Sequence, residues 1–147
     1  MDVRTLYRMP GSVKFGLITL WIQVLIMAFA GWFILSEIDT RHDHGQSVQG
    51  EGAVRSIAYG MFVLCAALLV ASGLFFRRSL LACKLVYGYE VFTVVIALLS
   101  IGVALAADGF VLAQLAALAL PFAVCWALGQ QSADEWFSVG WSPADEV

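Results

Sequence analysis

The chain has 147 residues, 61% hydrophobic and only 13% charged, with a mean hydropathy of +0.86. Globular domains carry about 25% charged residues, and a chain this short leaves much of its surface in water, so the composition excludes an ordinary soluble domain as well as a disordered one. A net charge of −3 without a long basic run argues against nucleic-acid binding.

The apolar excess falls into runs long enough for lipid. A helix crossing a hydrocarbon core of about 30 Å needs roughly 20 apolar residues. Four spans are expected, at 15–35, 56–76, 85–107 and 110–128. Ala28-Phe29-Ala30 within the first run mimics a signal-peptidase site, but the run continues through Trp32, Phe33, Ile34 and Leu35, and that length favours a retained span. An outer loop at 37–55 holds Gly45, Gly50 and Gly52 among polar residues. Arg77-Arg78-Ser79 reads as a tight turn, and Asp108-Gly109 as a tighter one that makes its two helices antiparallel neighbours. Gly129 is the expected stop of the fourth helix and opens a tail, 129–147. The runs lack the alternation of barrel strands. The expected fold is an all-α membrane protein, a single membrane domain over residues 1–147 built as an antiparallel four-helix transmembrane bundle.

Lys and Arg set the orientation, because short loops rich in them stay cytoplasmic. Arg4, Arg8 and Lys14 lie in the N-terminal arm, and Arg77, Arg78 and Lys84 in or beside the second connection. The first loop has Arg41 and Arg55 alone. Both termini are therefore expected in the cytoplasm of a cell with the chain multi-pass in its membrane, and the loop with Glu37, Asp39, Asp43 and Glu51 outside.

Glu90 is the one charged residue that these boundaries place in hydrocarbon. Such a carboxyl costs several kcal/mol when ionised and generally faces a bundle interior. One reading is a proton or cation site. The other, favoured because no counter-charge accompanies it, is a glutamate bonded to a neighbouring helix. Gln23, Ser72, Tyr87 and Glu90 fall at similar depth and form the candidate intramembrane polar cluster, with helix-packing glue its leading role. Gln114 is too far along the axis to join and is placed near Ser100. Pro121 frees the carbonyl near Ala117 and predicts a kink. Ala67 with Ala71, and Ala113 with Ala117, have the spacing of close helix contact.

Cys65, Cys83 and Cys125 contain no C-x-x-C pair, which argues against thiol redox chemistry. His42 and His44 have a ligand-like spacing, but their glycine-rich surroundings favour a solvated loop, so neither a metal nor a cofactor is expected. No nucleophile–base pair, phosphate loop or zinc-protease motif is visible, so no enzyme activity is expected. The acidic tail carries Trp136, Phe137 and Trp141, which either pack at the headgroups and against the bundle or contact a partner.

Pro10-Gly11-Ser12-Val13 before Leu20-Trp21-Ile22-Gln23, the Arg77-Arg78 pair before the third run and Trp136-Phe137 after the fourth give the chain a familiar plan. It resembles small four-span integral membrane proteins of actinobacterial type, a resemblance that implies no activity, ligand or catalytic residue. The expected role is a non-enzymatic accessory, scaffold or partner-binding subunit, its partners the bilayer and a membrane protein or a second copy. The alternative is a small oligomeric transporter or channel that uses Glu90 to move a proton or cation.

Overall fold

A computed structural model describes residues 9–47, 49–106 and 112–138, with the side chains at 104–106, 112–114 and 116 left aside. Five helices follow one another, with no strand among the described residues: α1 (Gly11–Asp43), α2 (Glu51–Phe75), α3 (Leu80–Ala106), α4 (Leu112–Leu128) and the short α5 (Gln131–Ser138). Three of them, α1, α2 and the Leu80–Val103 part of α3, are long and apolar enough to cross a membrane. The fourth expected span appears as α4, seventeen residues long and short of the roughly 20 that a bilayer needs. Pro121 is buried within α4 and does not end it. The expected turn at Asp108-Gly109, the side chain of Gln114, Trp141 and the basic residues Arg4 and Arg8 lie outside the described residues.

The first helix runs well past the expected boundary at residue 35. Its 33 residues measure about 50 Å at 1.5 Å each, and the loop expected at 37–55 shrinks to residues 44–50. Polar interactions carry the helix beyond its apolar part. Arg41 Nε donates to Glu37 one turn earlier at 2.8 Å, and the Thr40 hydroxyl donates to the Ser36 carbonyl. The end is a Schellman motif: the Gln46 N–H donates to the Arg41 carbonyl, the Gly45 N–H to that of His42, and Gly45 takes the left-handed φ of 69° that the motif demands. Gly50, at φ 71°, opens α2 with its carbonyl accepting from Ala53 and Val54.

Contacts divide the chain into two compact units, with α1 and α2 contributing to both. A hairpin unit is the continuous stretch Trp21–Val70, and a split unit combines Met1–Leu20 with Ala71–Val147.

In the hairpin unit the Cys65 thiol donates to the Val24 carbonyl, Gly31 faces Ala58 and Phe62, Arg55 pairs with Asp39, and His42 meets Glu51. These partners run in opposite order along the two helices, which makes the hairpin antiparallel. In the split unit Gly16 lies against Ala127 and Leu128, Phe15 meets Trp126 edge-on at 6.3 Å, and Ser12 bonds Ser132. Helix α3 packs along α4 in this unit. Its core holds the fully buried Val13, Leu20, Phe75, Val86, Val124, Phe137 and Glu90.

Buried positions on α1 are Val13, Gly16, Leu17, Thr19, Leu20, Gln23, Val24, Gly31 and Ile38, and Leu17, Val24, Gly31 and Ile38 among them recur at seven-residue steps. The remaining faces are equally apolar: Leu25, Val63, Leu81 and Val103 are 69–70% exposed.

Gly31 sets how closely the hairpin can close. A Cβ there would sit 3.4 Å from the Ala58 carbonyl oxygen and from the Phe62 ring, ordinary contact distance. Gly31→Ala is therefore expected to keep its stability to within about 0.5 kcal/mol, and Gly31→Leu to lose about 1–3 kcal/mol through overpacking. Thermal unfolding in detergent checks the pair, and equal stabilities in the two variants would contradict the close approach.

Candidate functional site: a buried carboxyl and a packed terminal helix

Helix α3 starts at Ser79, whose hydroxyl accepts from the Ala82 N–H as an N-cap. The buried positions that follow are Ala82, Cys83, Val86 and Glu90, recurring at three- and four-residue steps on one face. Glu90 is ten residues from the first residue of the helix, about 15 Å along the axis, and about 9 Å beyond the exposed Lys84. Its exposure is 0%.

The other residues of the expected polar cluster take different positions. Gln23 and Ser72 are buried and, like Glu90, engaged in interactions. Tyr87, three residues from Glu90, is 41% exposed. Gln23 belongs to the hairpin unit, whereas Ser72, Tyr87 and Glu90 belong to the split unit.

Two of the tail's aromatic residues, Trp136 and Phe137, are taken up by the chain itself. Helix α5 buries Ala133, Trp136 and Phe137, an i, i+3, i+4 pattern, and exposes Gln131, Ser132, Asp134, Glu135 and Ser138. Phe137 stacks edge-on against Phe75 with centroids 5.2 Å apart. The guanidinium of Arg78 sits 4.2 Å above the centre of the Trp136 ring. Ser132 and Ser12 share a hydrogen bond of 2.8 Å across 120 residues of sequence. Trp136 and Phe137 are therefore core residues of the split unit and offer no free contact surface.

Arg78 pays for this contact in its backbone. The Ser79 N–H donates to the Leu74 carbonyl and the Arg78 N–H to that of Phe75, a Schellman motif that puts Arg78 at the position glycine normally fills. Its φ is 53°, the one left-handed non-glycine among the described residues. That conformation costs about 1–2 kcal/mol for an L side chain, and a cation over tryptophan returns about 0.5–2 kcal/mol. The two nearly cancel, so arginine here exchanges backbone comfort for a hold on α5. The sequence showed a turn at this point but not that one of its two arginines would face an aromatic ring.

At the hairpin's polar end the two histidines have separate partners. His42 Nε2 meets Glu51 at 2.7 Å, and His44 Nδ1 donates to the Thr40 carbonyl. Glu51 also accepts from Arg55, which reaches Asp39 as well. No group of three or more potential metal ligands occurs among the described residues. Cys65 and Cys83 are buried free thiols, and Cys125 is half-buried and free.

Arg78→Ala keeps the left-handed backbone and loses the cation, so it is expected to destabilise the protein by about 1–2 kcal/mol. Arg78→Gly relieves the backbone as it loses the cation, and is expected within about 1 kcal/mol of the parent and above the alanine variant. Denaturant unfolding in detergent ranks the three proteins, and a glycine variant no better than the alanine one would contradict the exchange. Comparison of the chain with protein-family models, curated proteins and solved structures finds no match, so the chemistry of these residues alone carries the functional reading.

Proposed function

We propose that the protein is a four-span integral membrane protein of the cell membrane, with both termini cytoplasmic, acting as a non-enzymatic accessory or partner-binding subunit. One observation carries this reading: helices of spanning length keep large apolar side chains on their outer faces. Burying one such side chain is worth about 1.5–3 kcal/mol relative to water, a demand that lipid or a neighbouring helix meets. In this reading α4 completes a fourth span together with the apolar residues Phe110 and Val111 that precede it in sequence. The plan is that of the small actinobacterial proteins the sequence resembles.

With Trp136 and Phe137 packed inside, contact with a partner passes to the helix faces. Of the three helices of spanning length, α3 is the least covered and α1 the most. Phe92, Val95 and Leu99 lie on its exposed surface. Photo-crosslinking from these three positions in native membranes is expected to capture a membrane protein or a second copy. Adducts with lipid alone at all three would set the subunit role aside.

Orientation is tested with Gln46→Cys and Gln131→Cys in a chain whose native cysteines are replaced. An impermeant maleimide applied to intact cells is expected to label position 46, and position 131 only after permeabilisation. The reverse pattern would invert the topology.

The burial of Glu90 favours a second reading, a proton- or cation-linked transporter or channel formed by several copies. Its carboxyl is the only acidic group in the core of the described split unit. In liposomes, proton or cation flux by the parent is expected to fall at least about tenfold in Glu90→Gln, the loss that follows when an intramembrane relay carboxyl is removed. Equal flux in both proteins would end this reading.

A further inference from the structure

We propose that the Arg77-Arg78 turn of the split unit holds the phosphodiester headgroup of an anionic phospholipid, with Arg78 as its fixed ligand and Arg77 and Lys84 beside it. The inference rests on the reading of the chain as a membrane protein and adds which lipid it selects and where.

Three observations support it. The first is unpaired charge. In the hairpin unit both arginines are bound to carboxylates, Arg41 to Glu37 and Arg55 to Glu51 and Asp39. In the split unit Lys14, Arg77, Arg78 and Lys84 make no ion pair among the described residues. The exposed carboxylates of that unit, Asp134 and Glu135, both stand on α5 and neutralise none of them directly. The arm and the turn lie at one end of the unit. Ser132 of α5 bonds Ser12, two residues before Lys14, and Trp136, one helical turn or about 6 Å further along α5, meets Arg78.

The second is the state of Arg78. Its left-handed backbone and the ring 4.2 Å beneath its guanidinium fix the side chain in place. Contact with a ring face supplies no oxygen acceptor, and the side-chain N–H groups of Arg78 meet none among the described residues. A guanidinium carries five such donors in a planar fork that matches two oxygens of a phosphate. Arg78 is therefore a half-buried, positioned cation with its donors unused.

The third is the apolar surface beside these cations, which selects a lipid over free phosphate. Leu81, Lys84 and Leu85 share one exposed face of α3 at i, i+3 and i+4. Lys84 rises from that face about 6 Å past the start of the helix. From such a position a lysine lays its stem on apolar surface and returns its charge to headgroup level. At the same end Phe15 and Trp126 remain exposed in their edge-on pair, as aromatic residues at headgroup depth do. A phospholipid uses both features, its headgroup at the turn and an acyl chain along the leucines.

The test uses the full chain, purified in dodecyl maltoside and titrated with phosphatidylglycerol or with phosphatidylcholine of the same acyl chains. Binding is read by native mass spectrometry. Phosphatidylglycerol is expected to bind the parent at least about tenfold more tightly than phosphatidylcholine. Arg78→Gly, which suits the left-handed turn, and Lys84→Gln should each weaken phosphatidylglycerol about fivefold, the share of one cation near an anionic headgroup. Both should leave phosphatidylcholine level. Arg41→Gln removes a cation from the hairpin unit and should leave both lipids level. Millimolar inorganic phosphate should not displace phosphatidylglycerol.

Should Arg78→Gly lose its fold, Lys84→Gln and Arg41→Gln decide alone. Three results would each overturn the headgroup site: equal affinity of the parent for the two lipids, a loss in Arg41→Gln as large as in Lys84→Gln, or displacement by inorganic phosphate. Each leaves the membrane reading standing, because the protein still takes up lipid. A parent that stays dissolved without detergent and takes up neither lipid would overturn both.

Discussion

Close helix approach is the constraint on which the rest of the structure depends. In the proposed bilayer setting, helices this apolar on every side gain nothing from hydrophobicity in choosing a face, because a leucine against leucine and a leucine against a lipid tail are nearly equivalent. What remains is geometry: dispersion contacts where backbones can come near, and polar groups that need one another. Gly16 against Ala127 and Gly31 against Ala58 supply the first. The seam of α1 follows from them, with Leu17, Leu20 and Val24 buried and Ile18, Trp21, Ile22 and Leu25 exposed.

Polar contacts supply the rest, and they concentrate at the helix ends. Glu37, Arg41 and Gly45 carry α1 beyond its apolar stretch and close it, while Asp39, Glu51 and Arg55 join it to α2. The pairs at this end are exposed or half-buried, and a solvent-exposed ion pair is worth about 0–1 kcal/mol. Their part is to fix helix length and register more than to add stability. Arg78 has the corresponding place in the split unit. There the partner is a buried ring, and the strained backbone shows that the contact sets the local geometry.

Hydropathy made the helices legible in sequence and misplaced their ends. Run length found α1, α2 and α3 because a bilayer-sized apolar stretch is rare by chance. The same rule took the end of apolarity at residue 35 for the end of the helix, since it has no means of weighing Glu37 against Arg41 or of seeing a left-handed glycine at residue 45. The seam was hidden for the reason that makes the helices legible: when every face is apolar, no periodicity separates the buried one. Glu90 could be singled out as a lone carboxyl in an apolar run. Tyr87, expected beside it, is exposed, because the buried face of α3 runs through Cys83, Val86 and Glu90 and Tyr87 stands at its edge. Helix α5 did carry a signal, the spacing of Ala133, Trp136 and Phe137, but the flanking Asp134 and Glu135 left contact with a partner open beside packing against the bundle.

The division of the chain into a continuous hairpin and a split unit has a consequence for biosynthesis. The hairpin is complete once residue 70 has been made, and its contacts span few enough residues to form early. The split unit brings Ser12 and Ser132 together, so it waits for nearly the whole chain, and its core stays open on one side until α5 arrives. During that interval Phe75 and Ser12 wait for the partners, Phe137 and Ser132, that α5 brings them. The order of synthesis therefore leaves the aromatic core of the split unit to be completed last, and a chain stalled before residue 131 would hold a complete hairpin and an unfinished split unit.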